Sequence, residues 1–248
     1  MKTKAFNIPR VSLATLAAGL LFWSSDAAAT TINWGTYLGP TTLLYDSTGA
    51  TLDDDYYFEL GSFGTFIPTE ANMTEWLTNW KPFDRAYAPA AGGWISSSGT
   101  VAAGAVLEPD FTTDNTALSQ ANTFAVGEQA YIWVYQDTVG NSNPTPSYGP
   151  GLEWALVTNN ASDGNVTDDW LFVAPSGHSG TTLDWRIEDA TATPFGGLNN
   201  NQGPGSYTNQ PADFVLQTAT LAAIPEPGSA LLLGLGAFAC LRRRRSRH

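Results

Sequence analysis

The chain has 248 residues, 23 acidic against 11 basic, a net charge of −12, one cysteine and nine tryptophans. Eight of the basic residues lie in the two ends, so the stretch Thr30–Ala223 holds three basic residues against 21 acidic ones, a net −18. That surface excludes nucleic acid and anionic lipid as partners, because like charge repels. The sole cysteine, Cys240, lies near the C-terminus, so the body has no disulfide and must hold together by packing.

Residues 1–29 read as a secretory signal peptide. Lys2, Lys4 and Arg10 precede an apolar run, Val11 to Trp23, and Ala27-Ala28-Ala29 supplies the A-x-A site. Cleavage is expected after Ala29, with Ala27 and Ala29 as the small residues read by the peptidase. The run is too short to span a membrane comfortably, which takes ~20 residues.

Residues 30–223 read as one acidic domain, mainly β, an antiparallel β-sandwich or jelly roll with one short helix. Strands are expected at Thr31–Leu38, Thr41–Tyr45, Tyr56–Leu60, Gly99–Leu107, Ala130–Gln136, Leu152–Val157, Trp170–Ala174, Leu183–Glu188 and Asp213–Leu221. Aromatic and β-branched runs bounded by Gly, Pro, Asn and Asp carry these assignments. Asn72-Met-Thr-Glu75 resembles a capping box, and Trp76, Leu77 and Trp80 follow at helical spacing, so a helix is expected over about 72–80, stopped by Pro82.

The tail, residues 224–248, has three parts in order. Pro225-Glu226-Pro227 comes first, then an apolar run Gly228–Leu241, then Arg242, Arg243, Arg244 and Arg245. As a helix, that run would be a marginal membrane segment, roughly 21 Å at ~1.5 Å per residue, against a core of ~30 Å. The arginines would stay cytoplasmic, leaving the body on the outer side of the inner membrane, where the signal peptide also sends it.

This triplet, run and arginine cluster resemble the PEP-CTERM sorting signal of exported Gram-negative proteins. The resemblance implies recognition by exosortase, a membrane protease-transpeptidase, with a cut at or near the triplet. It further implies passage from an inner-membrane precursor to the cell surface or extracellular matrix, in association with exopolysaccharide. "LDDDYYFELGSFG", "PTEANMTEWLTNW" and "EWALVTNN" are similar to motifs of PEP-CTERM proteins of uncharacterised role, which carry no activity across.

No catalytic constellation assembles from the body. His178, its one histidine, sits in a polar loop, and no G-x-S-x-G is present. Glu59, Glu153 and Glu188 are the first carboxylates to consider for a glycosidase, which needs two across a cleft; solvent-facing strand positions are the plainer reading. Asp53, Asp54 and Asp55, and Asp163 with Asp168 and Asp169, are dense oxygen sets of the kind calcium takes. Neither fits the EF-hand pattern, so no cofactor is expected and calcium is the alternative. Of the eight body tryptophans, six are expected in the core. Trp94 and Trp170, beside polar loop sequence, are expected exposed as a platform for stacking on sugars. The expectation is thus a non-enzymatic surface or matrix protein, with a carbohydrate-binding module and then a polysaccharide hydrolase as alternatives.

Overall fold

The computed structural model describes residues 29–37, 43–86, 93–95, 98–115, 118, 122–137, 145–160, 168–174, 182–199, 201–207 and 215–222. The expected signal peptide and the sorting tail lie outside these, apart from Ala29, which immediately precedes the first strand.

Fourteen strands follow in chain order among the described residues. They are β1 (Thr30–Gly35), β2 (Leu44–Tyr45), β3 (Tyr56–Ser62), β4 (Lys81–Ala86), β5 (Trp94–Ile95), β6 (Thr100–Leu107) and β7 (Ala130–Gln136). Then come β8 (Glu153–Thr158), β9 (Thr182–Arg186), β10 (Ala192–Phe195), β11 (Gly197–Leu198), β12 (Asn201–Gln202), β13 (Leu216–Gln217) and β14 (Ala219–Thr220). The molecule is mainly β and sandwich-like, as the sequence led us to expect. A central sheet runs β10-β8-β7-β3-β4, with β14 also on β8; a second runs β5-β6-β1-β9; a small third runs β12-β11-β13-β2.

Strand parity builds the core. Phe58 and Leu60 of β3, Ile132 and Val134 of β7, and Ala155 and Val157 of β8 point toward the second sheet. There they meet Ile32 and Trp34 of β1 and Val101, Ala105 and Leu107 of β6. The alternate residues Tyr57, Tyr131, Trp133, Tyr135, Trp154 and Leu156 form a second apolar cluster on the opposite face. The central sheet is therefore buried on both faces, and all seven residues of β3 are buried.

The second cluster is aromatic. Trp133 meets Trp154 edge-on at 4.7 Å and Trp80 at 5.3 Å, and Trp76 stacks on Trp154 at 5.8 Å. Phe63 packs against Trp76, Trp80, Tyr131 and Trp133. Such pairs contribute about 0.5–1.5 kcal/mol each beyond the area they bury, which suits a domain without disulfides.

The lid over this cluster is the helical segment, which differs from expectation. A 3-10 turn spans Glu70–Glu75 and the α-helix α1 only Trp76–Asn79. The cap sits three residues earlier than the sequence suggests. The Thr69 backbone N–H donates to Asn72 Oδ1 at 2.8 Å, and Trp76 Nε1 donates to the same oxygen at 2.8 Å. Asn72 is thus the partner of the cap rather than the cap itself.

Two further differences have physical causes. β4 begins Lys81-Pro82, and proline argues against a central strand; β4 is an edge strand, with an irregular register opposite Leu60 and Gly61. Expected strand Trp170–Ala174 is reduced to a single bridge, Gln129 to Leu171. The sandwich is also not wholly antiparallel, because β1 pairs in parallel with β9, and β13 with β2.

Candidate functional site

The solvent face of the second sheet carries an open groove. Parity sends Ile32, Trp34 and Trp185 inward, so Thr31, Asn33, Asp184 and Arg186 face out. Register then lines them up. Gly104, Asn33 and Asp184 share one row, and Ala102, Gly35 and Arg186 the next. The small residues on β6 leave a groove of about 850 Å3 bordered by Tyr37, Asp114 and Arg186. A Cβ at Gly104 would lie 2.9 Å from Asn33 Oδ1 and would displace that side chain.

Polar side chains in and beside the groove are tied to each other. Asn33 Nδ2 donates to Asp184 Oδ1 at 3.3 Å, and Arg186 Nη2 donates to the same oxygen at 3.2 Å. Beyond the end of β1, Tyr37 projects at 53% exposure. Its backbone N–H donates to Glu188 Oε1 at 3.1 Å, and its hydroxyl donates to the Asp189 carboxylate at 3.2 and 3.3 Å. The Arg186 guanidinium lies 5.9 Å from the centre of its ring. The Asp189 charge, with smaller contributions from burial and Glu188, pushes the phenol above its ordinary range, so the ring stays neutral.

Trp94 and Trp170 do not form the expected platform. They are 0% and 1% exposed, Trp94 against Phe58 and Trp170 stacked on Trp185. All eight body tryptophans are buried, because a core without disulfides takes every large ring it can. The exposed aromatic is a tyrosine instead. Ile67, Leu77, Ile95 and Val126 are the other exposed large apolar side chains among the described residues. Sequence reasoning passed over Tyr37 because it weighed tryptophans alone, and over Asn33, Asp184 and Arg186 because register across 151 residues cannot be read locally.

The three carboxylates considered for hydrolysis are each held by their own partners. Glu59, fully buried, accepts from Trp80 Nε1 at 2.7 Å, Arg85 Nε at 2.5 Å and the Tyr135 hydroxyl at 3.0 Å. Glu153 accepts from the Ser47 backbone N–H at 2.9 Å, the Tyr56 hydroxyl at 2.8 Å and Thr218 Oγ1 at 2.6 Å, and also from Ser47 Oγ. It fastens the 46–49 turn to the C-terminal strands. Glu188 holds Tyr37. None is a strand position facing solvent freely, which corrects the plainer reading of their role.

Asp53, Asp54 and Asp55 form an exposed turn, in which Asp53 Oδ1 accepts from the Asp55 N–H at 3.1 Å. Asp168 is exposed and Asp169 half-buried beside Trp170. Among the described residues no three His, Cys, Asp or Glu side chains are placed to hold a metal ion. Asp163 and His178 lie outside the described residues, as do Ala27, Pro225, Glu226, Pro227 and Arg242–Arg245. No helix among the described residues is long and apolar enough to cross a membrane.

Comparison with known proteins completes the site at the other end of the chain. Residues 223–245 match the family model of the PEP-CTERM protein-sorting motif. No curated protein and no solved structure matches the chain. The class defined is thus an exported β-sandwich-like protein with a C-terminal sorting signal. Such a signal is processed by exosortase, a membrane protease, and this chain carries it from two residues before Pro225 through Arg245.

Proposed function

We propose that this is a non-enzymatic protein of the cell surface or extracellular matrix, associated with exopolysaccharide after exosortase removes its tail. The sorting motif at 223–245 carries the reading. It is supported by the acidic body, three basic residues against 21 acidic ones. All three basic residues are in ion pairs, Lys81 with Glu128, Arg85 with Glu59 and Arg186 with Asp184. That leaves an anionic exterior suited to staying soluble in a crowded outer layer. The structural ties of Glu59, Glu153 and Glu188 favour a binding or scaffolding role over hydrolysis.

Fractionation of the producing cells tests this. The expected product is a matrix-associated form whose intact mass lacks everything after about Pro227, released when the matrix polysaccharide is enzymatically depolymerised. A surface form that keeps its arginines, or one indifferent to depolymerisation, would overturn the proposal.

A further inference from the structure

We infer that the groove on the solvent face of the β5-β6-β1-β9 sheet binds a neutral glycan chain, with Tyr37 as the stacking ring and the hydrogen-bonded cluster of Asn33, Arg186 and the adjoining Asp184 reading hydroxyls. The inference rests on the polysaccharide reading above and gives it a place and a ligand class.

Three independent features converge on this face. First, a solvated sheet face is ordinarily covered by long polar side chains, but here β6 presents Ala102 and Gly104 and leaves an open groove of about 850 Å3. Second, Tyr37 is more than half exposed yet fixed, its hydroxyl on Asp189 and its ring beside Arg186. A held ring loses little freedom on binding, and its apolar face suits the C–H face of a pyranose. Third, the hydroxyl-matching groups are planar and adjacent. An Asn amide carries two donors and an acceptor, an Arg guanidinium five donors, and a carboxylate two acceptor oxygens. A shared bond to Asp184 Oδ1 aligns the amide and guanidinium, so that their remaining donors and acceptors can be matched by adjacent sugar hydroxyls, each a donor and an acceptor.

Charge selects within the glycans. Arg186 is the one basic residue lining the groove; Asp114 lines it too, and Asp184, Glu188 and Asp189 lie beside it on Arg186 and Tyr37. Lys81 and Arg85 are committed to Glu128 and Glu59. A polyuronate or other polyanion would meet net repulsion, so a neutral polymer is the occupant.

Affinity electrophoresis of the full chain, in a polyoxyethylene detergent that carries no sugar, tests this with dextran, galactomannan, xyloglucan and alginate in the gel. The wild-type chain should be retarded by at least one of the three neutral polymers and not by alginate. Tyr37→Ala and Arg186→Ala should each weaken retardation by about tenfold, while Tyr37→Phe retains most of it. Ile67→Ala, exposed beside the helical lid, should match wild type, and all variants should melt as wild type does. Retardation of wild type, Tyr37→Ala and Arg186→Ala alike would overturn the groove as the site while leaving glycan association standing. Retardation by alginate alone would overturn the neutral class. No retardation by any polymer would overturn both this inference and the polysaccharide association it rests on.

Discussion

Glu59 and Arg85 face each other directly across the β3–β4 pairing, and both are buried, at 0% and 6% exposure. Their ion pair lies inside the aromatic cluster, with Trp80 and Tyr135 donating to the same carboxylate. One strand position away, Asp84 points to the other face and accepts from Trp34 Nε1 at 2.7 Å, tying the two sheets together through the core. Burial pushes the Asp84 carboxyl above its usual range, against the hydrogen bonds from Trp34 and Asn115.

Removing one member of the Glu59–Arg85 pair should cost far more than removing both. Arg85→Met leaves a buried carboxylate and is expected to lose about 3–5 kcal/mol. Glu59→Leu with Arg85→Met should recover much of that loss. Urea denaturation of the four species gives the coupling directly. A double variant as unstable as Arg85→Met alone would show that the pair's geometry, not its charge, holds β4.

Trp133 touches Phe63, Trp76, Trp80, Tyr135 and Trp154. Trp133→Ala should therefore cost about 3–5 kcal/mol, and Trp133→Phe clearly less. Thermal melts followed by near-ultraviolet circular dichroism would read both. A loss under about 1 kcal/mol for the alanine variant would mean that the cluster collapses around the gap.

Alkali should unfold the protein through its tyrosines. Burial, then the charge of Glu153, raises Tyr56; burial, then the charge of Glu59, raises Tyr135; burial alone raises Tyr131. In the unfolded chain each ionises near pH 10. Below that pH their contribution to stability is complete. Above it the unfolded state releases protons that the folded state keeps, so stability falls as pH rises. Melting temperature should be flat toward pH 9 and drop beyond about pH 10. Phenolate absorbance should rise together with loss of structure; three phenols titrating in a still-folded protein would contradict this.

Chelator should leave the melting temperature unchanged, in line with the exposed Asp53–Asp55 turn and its internal hydrogen bonding. A ligand that binds only the folded state at 100 times its Kd adds about 2.7 kcal/mol. A drop of several degrees on adding EGTA would therefore reveal a calcium site and reverse the expectation.

Much of the strand pattern was legible locally, and the reasons differ by element. β7 coincides with the expected Ala130–Gln136, since its β-branched and aromatic residues continue without a breaker. Both of its faces are buried, because no polar residue alternates in Tyr131-Ile-Trp-Val-Tyr135. β4 was invisible behind Pro82, which is tolerated only because β4 is an edge. At the groove, Asn33 and Asp184 look unremarkable in the sequence. They become neighbours only through the parallel β1–β9 pairing, which no local pattern encodes. Tyr37 was hidden by the assumption that the exposed ring would be an indole.

That parallel pairing also orders events in time. β1 leads the body, while its partner β9 begins at Thr182, and β2 waits for β13 at Leu216. β14, at Ala219–Thr220, closes the outer edge of β8. Contacts between such distant residues form slowly, because the loop must close before they stabilise anything. A chain threaded outward from its N-terminus thus presents its first strand before its antiparallel neighbour β6 and long before its parallel neighbour β9. The sandwich can close only when nearly the whole body has emerged, a few residues ahead of the sorting motif. The last strand of the sheet, β14, ends at Thr220, three residues before the sorting motif begins at residue 223.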